Sequence, residues 1–273
     1  MPISFSMSPE QRALQLNARR FGERVLRTVD AATRKLPTPD ARFSATRPMY
    51  EQAIAAGFLH RLIPMPFGGG GTGLMDMAVV AEEFYAVDVN VSLTLFANLL
   101  GLMPVFAAGT PEQQRHLVAP FLTKTGAPLA ALANSEPGGS ANFGSSAEGT
   151  GTRTHARLEG DEWVINGAKH WVSSATGWDG LGADLLTVVC RTDAMESSPA
   201  GLSVIAVNRG ASGFRHTSSA DTLGHRAHLT PRFSFEGTRV PRSNLIGPMG
   251  GGKAIIDGSF AGTAALVGVM AVG

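Results

Sequence analysis

The spacing of apolar residues changes once, near residue 125, and that change decides the fold class. Before it, apolar residues recur at helical spacing and helix punctuation is frequent. "SPEQRALQLNARRFGERVLRTV" opens with Ser8 as N-cap and Pro9 at the first helical position. "RPMYEQAIAAG" predicts a second helix, starting near Pro48 and closing at Gly57. "PFGGGGTG" predicts a flexible connection into the helix of "LMDMAVVAEEFYAV". Thr110-Pro111-Glu112-Gln113 forms a capping box ahead of another helix. About five helices and no strand are expected in this part. Beyond it, "GTRTHARLEGDEWVINGAKHWVSS" alternates and turns at Gly160-Asp161, as a hairpin does. "ADLLTVVCR", "GLSVIAVN" and "RFSFEGTRV" are short β-rich runs. From Gly250 the composition is helical again.

A helical block followed by an antiparallel β block predicts an α+β fold and argues against a doubly wound sheet. The expected boundaries are 1–125 for an all-helical domain, 126–247 for a β-barrel or sandwich domain, and 248–273 for the start of a C-terminal helical domain. The last helix meets Gly273 with no C-cap and no partner left to cover it, so a truncated product is expected. The rival for that segment, a membrane helix, is weakened by Asp257 and the interior glycines.

The charge balance, 23 Lys+Arg against 22 Asp+Glu, predicts no nucleic-acid or membrane-surface partner. The single cysteine, Cys190, allows no intrachain disulfide and reads as a buried structural thiol in a reducing, cytoplasmic setting. "MPISFSMSPEQ" lacks the features of a secretory signal. The apolar stretch 91–109 imitates a membrane span, but Asn98, Pro104 and the lack of basic flanks predict a buried helix.

Most candidate motifs fall away. "FGGGGTG" has no Lys-Ser/Thr after it and no strand before it, so it is neither a P-loop nor a dinucleotide fingerprint. No Gly-x-Ser-x-Gly elbow is present. His216, His225 and His228 have no cysteine or spaced carboxylate beside them and read as loop histidines, so no metal site is expected. Two stretches remain. "NSEPGGSANF" (134–143) offers backbone N–H groups around Gly138 and Gly139 and hydroxyls at Ser135 and Ser140, with Glu136 set directly before Pro137. "AKHWVSS" offers an indole at Trp171 and a hydroxyl at Ser173, on one strand face by the two-residue period. A flat cofactor with donors and acceptors along its edge, such as a flavin, needs these groups. A structural hairpin explains Trp171 equally well.

The order "PMPFGGGGTGLMDMAVVAEE", "GTPEQQRHLVAPFL", "SEPGGSAN", "EWVINGAKHWVSS" and "LGHRAHLTPRFSFEGTRVPRSNLIG" resembles the acyl-CoA dehydrogenase superfamily from end to end. Within it, "ARFSATRPMYEQAI", "GLMPVFAAGTPEQQ", "TGWDGLGADLLTVVCR" and "TAALVGVMAVG" are most similar to the nitroalkane oxidases. The resemblance implies an N-terminal helical domain, a central β-domain and a C-terminal four-helix domain of which only the first helix is present. It implies FAD as cofactor, a small-molecule substrate and a homo-oligomer, a tetramer when full length. Leu132, Asn134 and Ser135 would line the flavin's pyrimidine edge, and Gly139 and Ser140 would form the following turn near the pyrophosphate. This loop is one residue shorter than the common dehydrogenase pattern. Trp171 would pack beside the isoalloxazine, and Ser173 would place its hydroxyl at N5. Phe260 would wall the substrate pocket, and Thr263 would contact the catalytic carboxylate, which the resemblance places beyond Gly273. The implied chemistry is removal of an acidic α-proton with electron transfer to the flavin, on a nitroalkane or, alternatively, an acyl-CoA thioester. Ala261 and Ala264 stand where acyl-CoA dehydrogenases commonly carry an acidic residue and an arginine. A chain ending here would fold without turning over, a non-catalytic module being the alternative of a different class.

Overall fold

The computed structural model describes residues 6–145, 147, 150–192 and 201–273. Seven α-helices precede the first strand: α1 (Pro9–Arg24), α2 (Val29–Thr33), α3 (Pro39–Ala55), α4 (Phe58–Leu62), α5 (Leu74–Tyr85), α6 (Val89–Ala108) and α7 (Pro111–Val118). Capping explains their starts. Ser8 and Gln11 form a capping box on α1, and Thr110 and Gln113 form one on α7, each satisfying two otherwise orphaned N–H groups. Helix α3 starts earlier than expected, because Thr38 accepts from Ala41 N and Pro39 fills the first helical position. Pro48 therefore lies inside the helix. Both Pro48 and Ser44, four residues before it, are exposed, so water can serve the carbonyl that the proline leaves unbonded. Gly57 closes α3 as expected, at φ 82°.

The glycine run is not a flexible connector. A Cβ on Gly69 would stand 2.0 Å from Ile63 O, and one on Gly71 would stand 2.6 Å from Arg61 O. Gly70 N and Gly71 N donate to His60 O and Ile63 O at 2.9 Å each. Glycine is needed there because two backbone segments pack against each other.

Eight strands follow: β1 (Ala130–Ala133), β2 (His155–Glu159), β3 (Glu162–His170), β4 (Leu185–Arg191), β5 (Leu202–Asn208), β6 (Phe214–Ser219), β7 (Pro231–Pro241) and β8 (Leu245–Ile246). They form one sheet in the order β6-β7-β3-β2-β4-β5-β8, with β1 added beside β4. Pairing is antiparallel except at β4, which takes β1 and the first residue of β2 in parallel. The hairpin turn falls at Gly160-Asp161 as expected. In β7 the inward set changes parity from Phe233 and Phe235 to Thr238 and Val240. Gly237, at φ 66°, is the extra residue of a bulge, and Asn166 Oδ1 takes its N–H at 2.8 Å.

Helix α6 joins the two blocks. It lies against β1 and β4, and its apolar surface is mostly inside the protein, as the sequence predicts for 91–109. Gly101 permits the contact: a Cβ there would stand 2.4 Å from Ala131 N. Asn98 supplies the polar joint. Its Oδ1 accepts from Ala130 N at 2.7 Å, while its Nδ2 donates to Tyr50 Oη, which donates to Pro128 O. Helix α8 (Gly252–Met270) then packs on α5, α6 and β5.

Candidate functional site

Three segments meet at the C-terminal ends of β1 and β3. Residues 134–136 leave β1, residues 169–174 leave β3, and residues 229–231 lead into β7. His170 N donates to Ser135 O at 3.0 Å, Trp171 N to Pro231 O at 3.0 Å, and Ser174 N to Leu229 O at 2.9 Å. The two stretches singled out in the sequence are thus brought side by side.

Strand β3 stops at His170, so Trp171 and Ser173 do not share a strand face. Trp171 has φ 58° and Ser174 φ 55°, both left-handed. The parity expectation fails because the backbone turns at Trp171. A left-handed conformation is costly for a bulky aromatic residue, and such outliers concentrate at working sites. Trp171 is 45% exposed although its backbone N–H is anchored. Ser173, between the two strained residues, is half-buried.

Asn134 is buried, yet neither its Oδ1 nor its Nδ2 has a hydrogen-bond partner among the described residues. The buried hydroxyls of Ser174 and Thr176 are likewise unpartnered. Leaving such a group unpaired costs roughly 1–3 kcal/mol, so four such atoms on the two segments that the His170–Ser135 hydrogen bond joins point to a ligand. Leu132 is buried on β1, opposite Thr187 of β4. Gly139, at φ 98°, closes a turn by donating to Glu136 O at 2.9 Å, and Ser140 after it is exposed.

Phe260 and Thr263 stand apart, on α8. Thr263 Oγ1 donates to Ser259 O at 3.0 Å, back onto its own helix, and Phe260 is 40% exposed. A surface groove of about 980 Å³ lined by Gln113, His116, Leu158, Trp163, Asn244 and Met249 includes none of the predicted site residues. Unsatisfied groups and backbone strain, not cavity size, mark the site.

Two residues of the site carry more than the sequence suggested. Glu136 and Lys169 are both buried and form an ion pair, Nζ to Oε1, at 2.7 Å. Burial opposes the Glu136 carboxylate, but the Lys169 charge and the N–H groups of Arg153 and Thr154 outweigh it and hold its pKa below the usual range. Burial lowers the pKa of the Lys169 ammonium, and Glu136 works against that shift. Trp163, Ile165, Gly167 and Lys169 form one two-residue series on β3, which puts Lys169 on the strand's inward face without naming a partner for its charge. Of the three histidines, His216 lies on β6 and His228 is buried, with Nδ1 at 3.0 Å from Thr94 Oγ1.

This helical block, sheet and closing helix, with a strained tryptophan turn beside an unpaired amide, define a known class. Residues 8–125 match the acyl-CoA dehydrogenase N-terminal domain and residues 131–238 its middle domain, and the chain belongs to the acyl-CoA dehydrogenase superfamily. It is 39% identical over its whole length to a nitroalkane oxidase of Podospora anserina and 36% identical over 99% of its length to one of Fusarium oxysporum. It spans 66% and 65% of those relatives, just under two thirds. A solved structure of the flavoprotein nitroalkane oxidase superposes with a TM-score of 0.94 at 34% identity, covering 98% of this chain and 66% of that one. A cyclohex-1-ene-1-carbonyl-CoA dehydrogenase of Geobacter metallireducens is 30% identical over 76% of this chain and 52% of its own. Membership implies a flavin. The residues present fit one: the Asn134 amide offers an NH2 donor group beside a carbonyl acceptor, as an edge of alternating acceptors and donors requires.

Proposed function

We propose that the protein containing this chain is an FAD-dependent oxidoreductase that removes an acidic proton from the carbon bearing a nitro group, as a nitroalkane oxidase does. The observation that carries the cofactor reading is the buried Asn134 amide, without a partner for either end among the described residues, beside the strained Trp171 turn. Leu132, Asn134 and Ser135 would hold the flavin's polar edge, and Gly139 and Ser140 the turn toward its phosphates. Trp171 would supply an aromatic wall, and the Ser173 hydroxyl would donate at the reacting nitrogen. When bound, the flavin supplies the electron sink for the oxidation. Phe260 and Thr263 on α8 would border the substrate, with a carboxylate of the whole protein taking the proton. A homo-oligomer in the cytoplasm is part of the same proposal.

The preference for a nitroalkane over an acyl-CoA is supported by the likeness to nitroalkane oxidases and by Ala261 and Ala264, which leave those two positions of α8 uncharged toward a large anionic ligand. A charge-assisted anchor contributes roughly 1.5–3 kcal/mol, about ten- to a hundredfold in affinity. Assay of the whole protein with nitroethane and a series of acyl-CoAs decides between them. Higher kcat/KM for nitroethane is expected; a higher value for any acyl-CoA overturns the nitroalkane assignment. Ser173→Ala should slow flavin reduction on the order of 10²-fold or less, and unchanged anaerobic reduction kinetics would remove Ser173 from the reacting nitrogen.

A further inference from the structure

Residues 134–140 and 169–174 come from distant parts of the chain, and a buried ion pair ties them together. All three N–H bonds of Lys169 Nζ are used: it donates to Glu136 Oε1 and Val189 O at 2.7 Å each and to Asn134 O at 3.2 Å. Glu136 accepts in addition from Arg153 N at 2.6 Å and Thr154 N at 3.0 Å. The side chains are 0% and 3% exposed.

As a source of stability this arrangement is poor, because desolvating two charges offsets most of their attraction, and an apolar pair of similar volume does as well. An apolar pair could not grip the Asn134 carbonyl. Lys169 does so while the Asn134 side-chain amide, on the same residue, has no partner among the described residues. The main chain of Asn134 is thus fixed from one side, with its side chain left open to a ligand. We infer that Glu136 and Lys169 are a positioning pair, which holds the Asn134–Ser135 segment in register with the Trp171 turn for the flavin. The inference rests on the cofactor reading above.

The test separates positioning from stability. Lys169→Met leaves a buried carboxylate unpaired and should lower both melting temperature and flavin affinity. The double variant Lys169→Met/Glu136→Gln carries neither charge, and its single Gln oxygen can still accept from one of Arg153 N and Thr154 N, which bond to separate oxygens of the Glu136 carboxylate. It should recover part of the melting temperature lost in Lys169→Met yet bind FAD about tenfold or more weaker than the parent, by fluorescence quenching or calorimetry. An unchanged FAD Kd in the double variant overturns the inference. Should the double variant not fold, Glu136→Gln measured below its own melting temperature serves instead: about tenfold weaker binding supports the pair's role, and the parent's Kd refutes it. If parent and variants alike bind no FAD, the cofactor reading falls and takes the pair's role with it.

Discussion

Asn134 concentrates the chemistry of the site in one side chain. Two buried polar atoms without partners should cost the apo chain stability, so Asn134→Ala is expected to leave its melting temperature unchanged or raised. The same change should weaken FAD binding roughly tenfold, and a flavin titration beside a thermal melt checks both signs. His228 gives a pH dependence. Thr94 Oγ1 donates to Asn90 O, so it accepts from His228 Nδ1, and burial, with the nearby His225, pushes the His228 pKa down to about 3. The unfolded chain takes up this proton near pH 6.5 and the folded chain does not. Its contribution is therefore complete above about 6.5 and lost toward pH 3, at about 1.4 kcal/mol per unit. Urea unfolding between pH 7 and 5 should show that fall, and His228→Gln should flatten it. At this scale the two loop stretches stood out in the sequence, but a hairpin explained Trp171 equally well, and the place of Asn134 at a flavin edge came only with the family resemblance. Lys169 did not stand out: a strand lysine ordinarily reads as solvated, and the partner that reverses this lies 33 positions away.

Among the elements, α6 and β1 approach more closely than side chains allow, and Gly101 is the reason. Gly101→Ala gains helix propensity of about 1 kcal/mol but drives a methyl into the Ala131 backbone. With overpacking at its upper end of about 3 kcal/mol, a net loss of about 2 kcal/mol is expected by urea unfolding, and a neutral result would show that the strand can move away. Helices with a capping residue and a period were legible: α1, α6 and α7 lie where the pattern puts them. Strand β1 was not, since "AALA" is four small residues with no alternation, and only the neighbouring β4 and α6 make it a strand. Strand β6, with the pattern "FRHTSS", hid among polar loop residues for a similar reason. The glycine run misled in the other direction, because composition reports backbone freedom and not the close packing that requires it.

At the scale of the whole chain, the helical and β blocks share a core, and Asn98 is one of the buried polar joints between them, beside the Thr94–His228 and Thr187–Gly101 hydrogen bonds. Asn98→Leu would strand the Ala130 N–H and leave the Tyr50 hydroxyl with only its bond to Pro128 O, with an expected cost of roughly 1–3 kcal/mol. Thermal melts followed by circular dichroism and by tryptophan fluorescence should coincide in the parent and separate in this variant if the joint couples the blocks. Cys190 offers a way to watch that coupling in time. It is the chain's only thiol, fully enclosed on β4 and pushed by burial up to about 12, so at neutral pH it is neither reachable nor a thiolate while the sheet is closed. An alkylating reagent can then modify it only during an opening of the sheet, once per molecule. The chain carries its own stopwatch, and a ligand that clamps β1 against β4 should be seen to slow it.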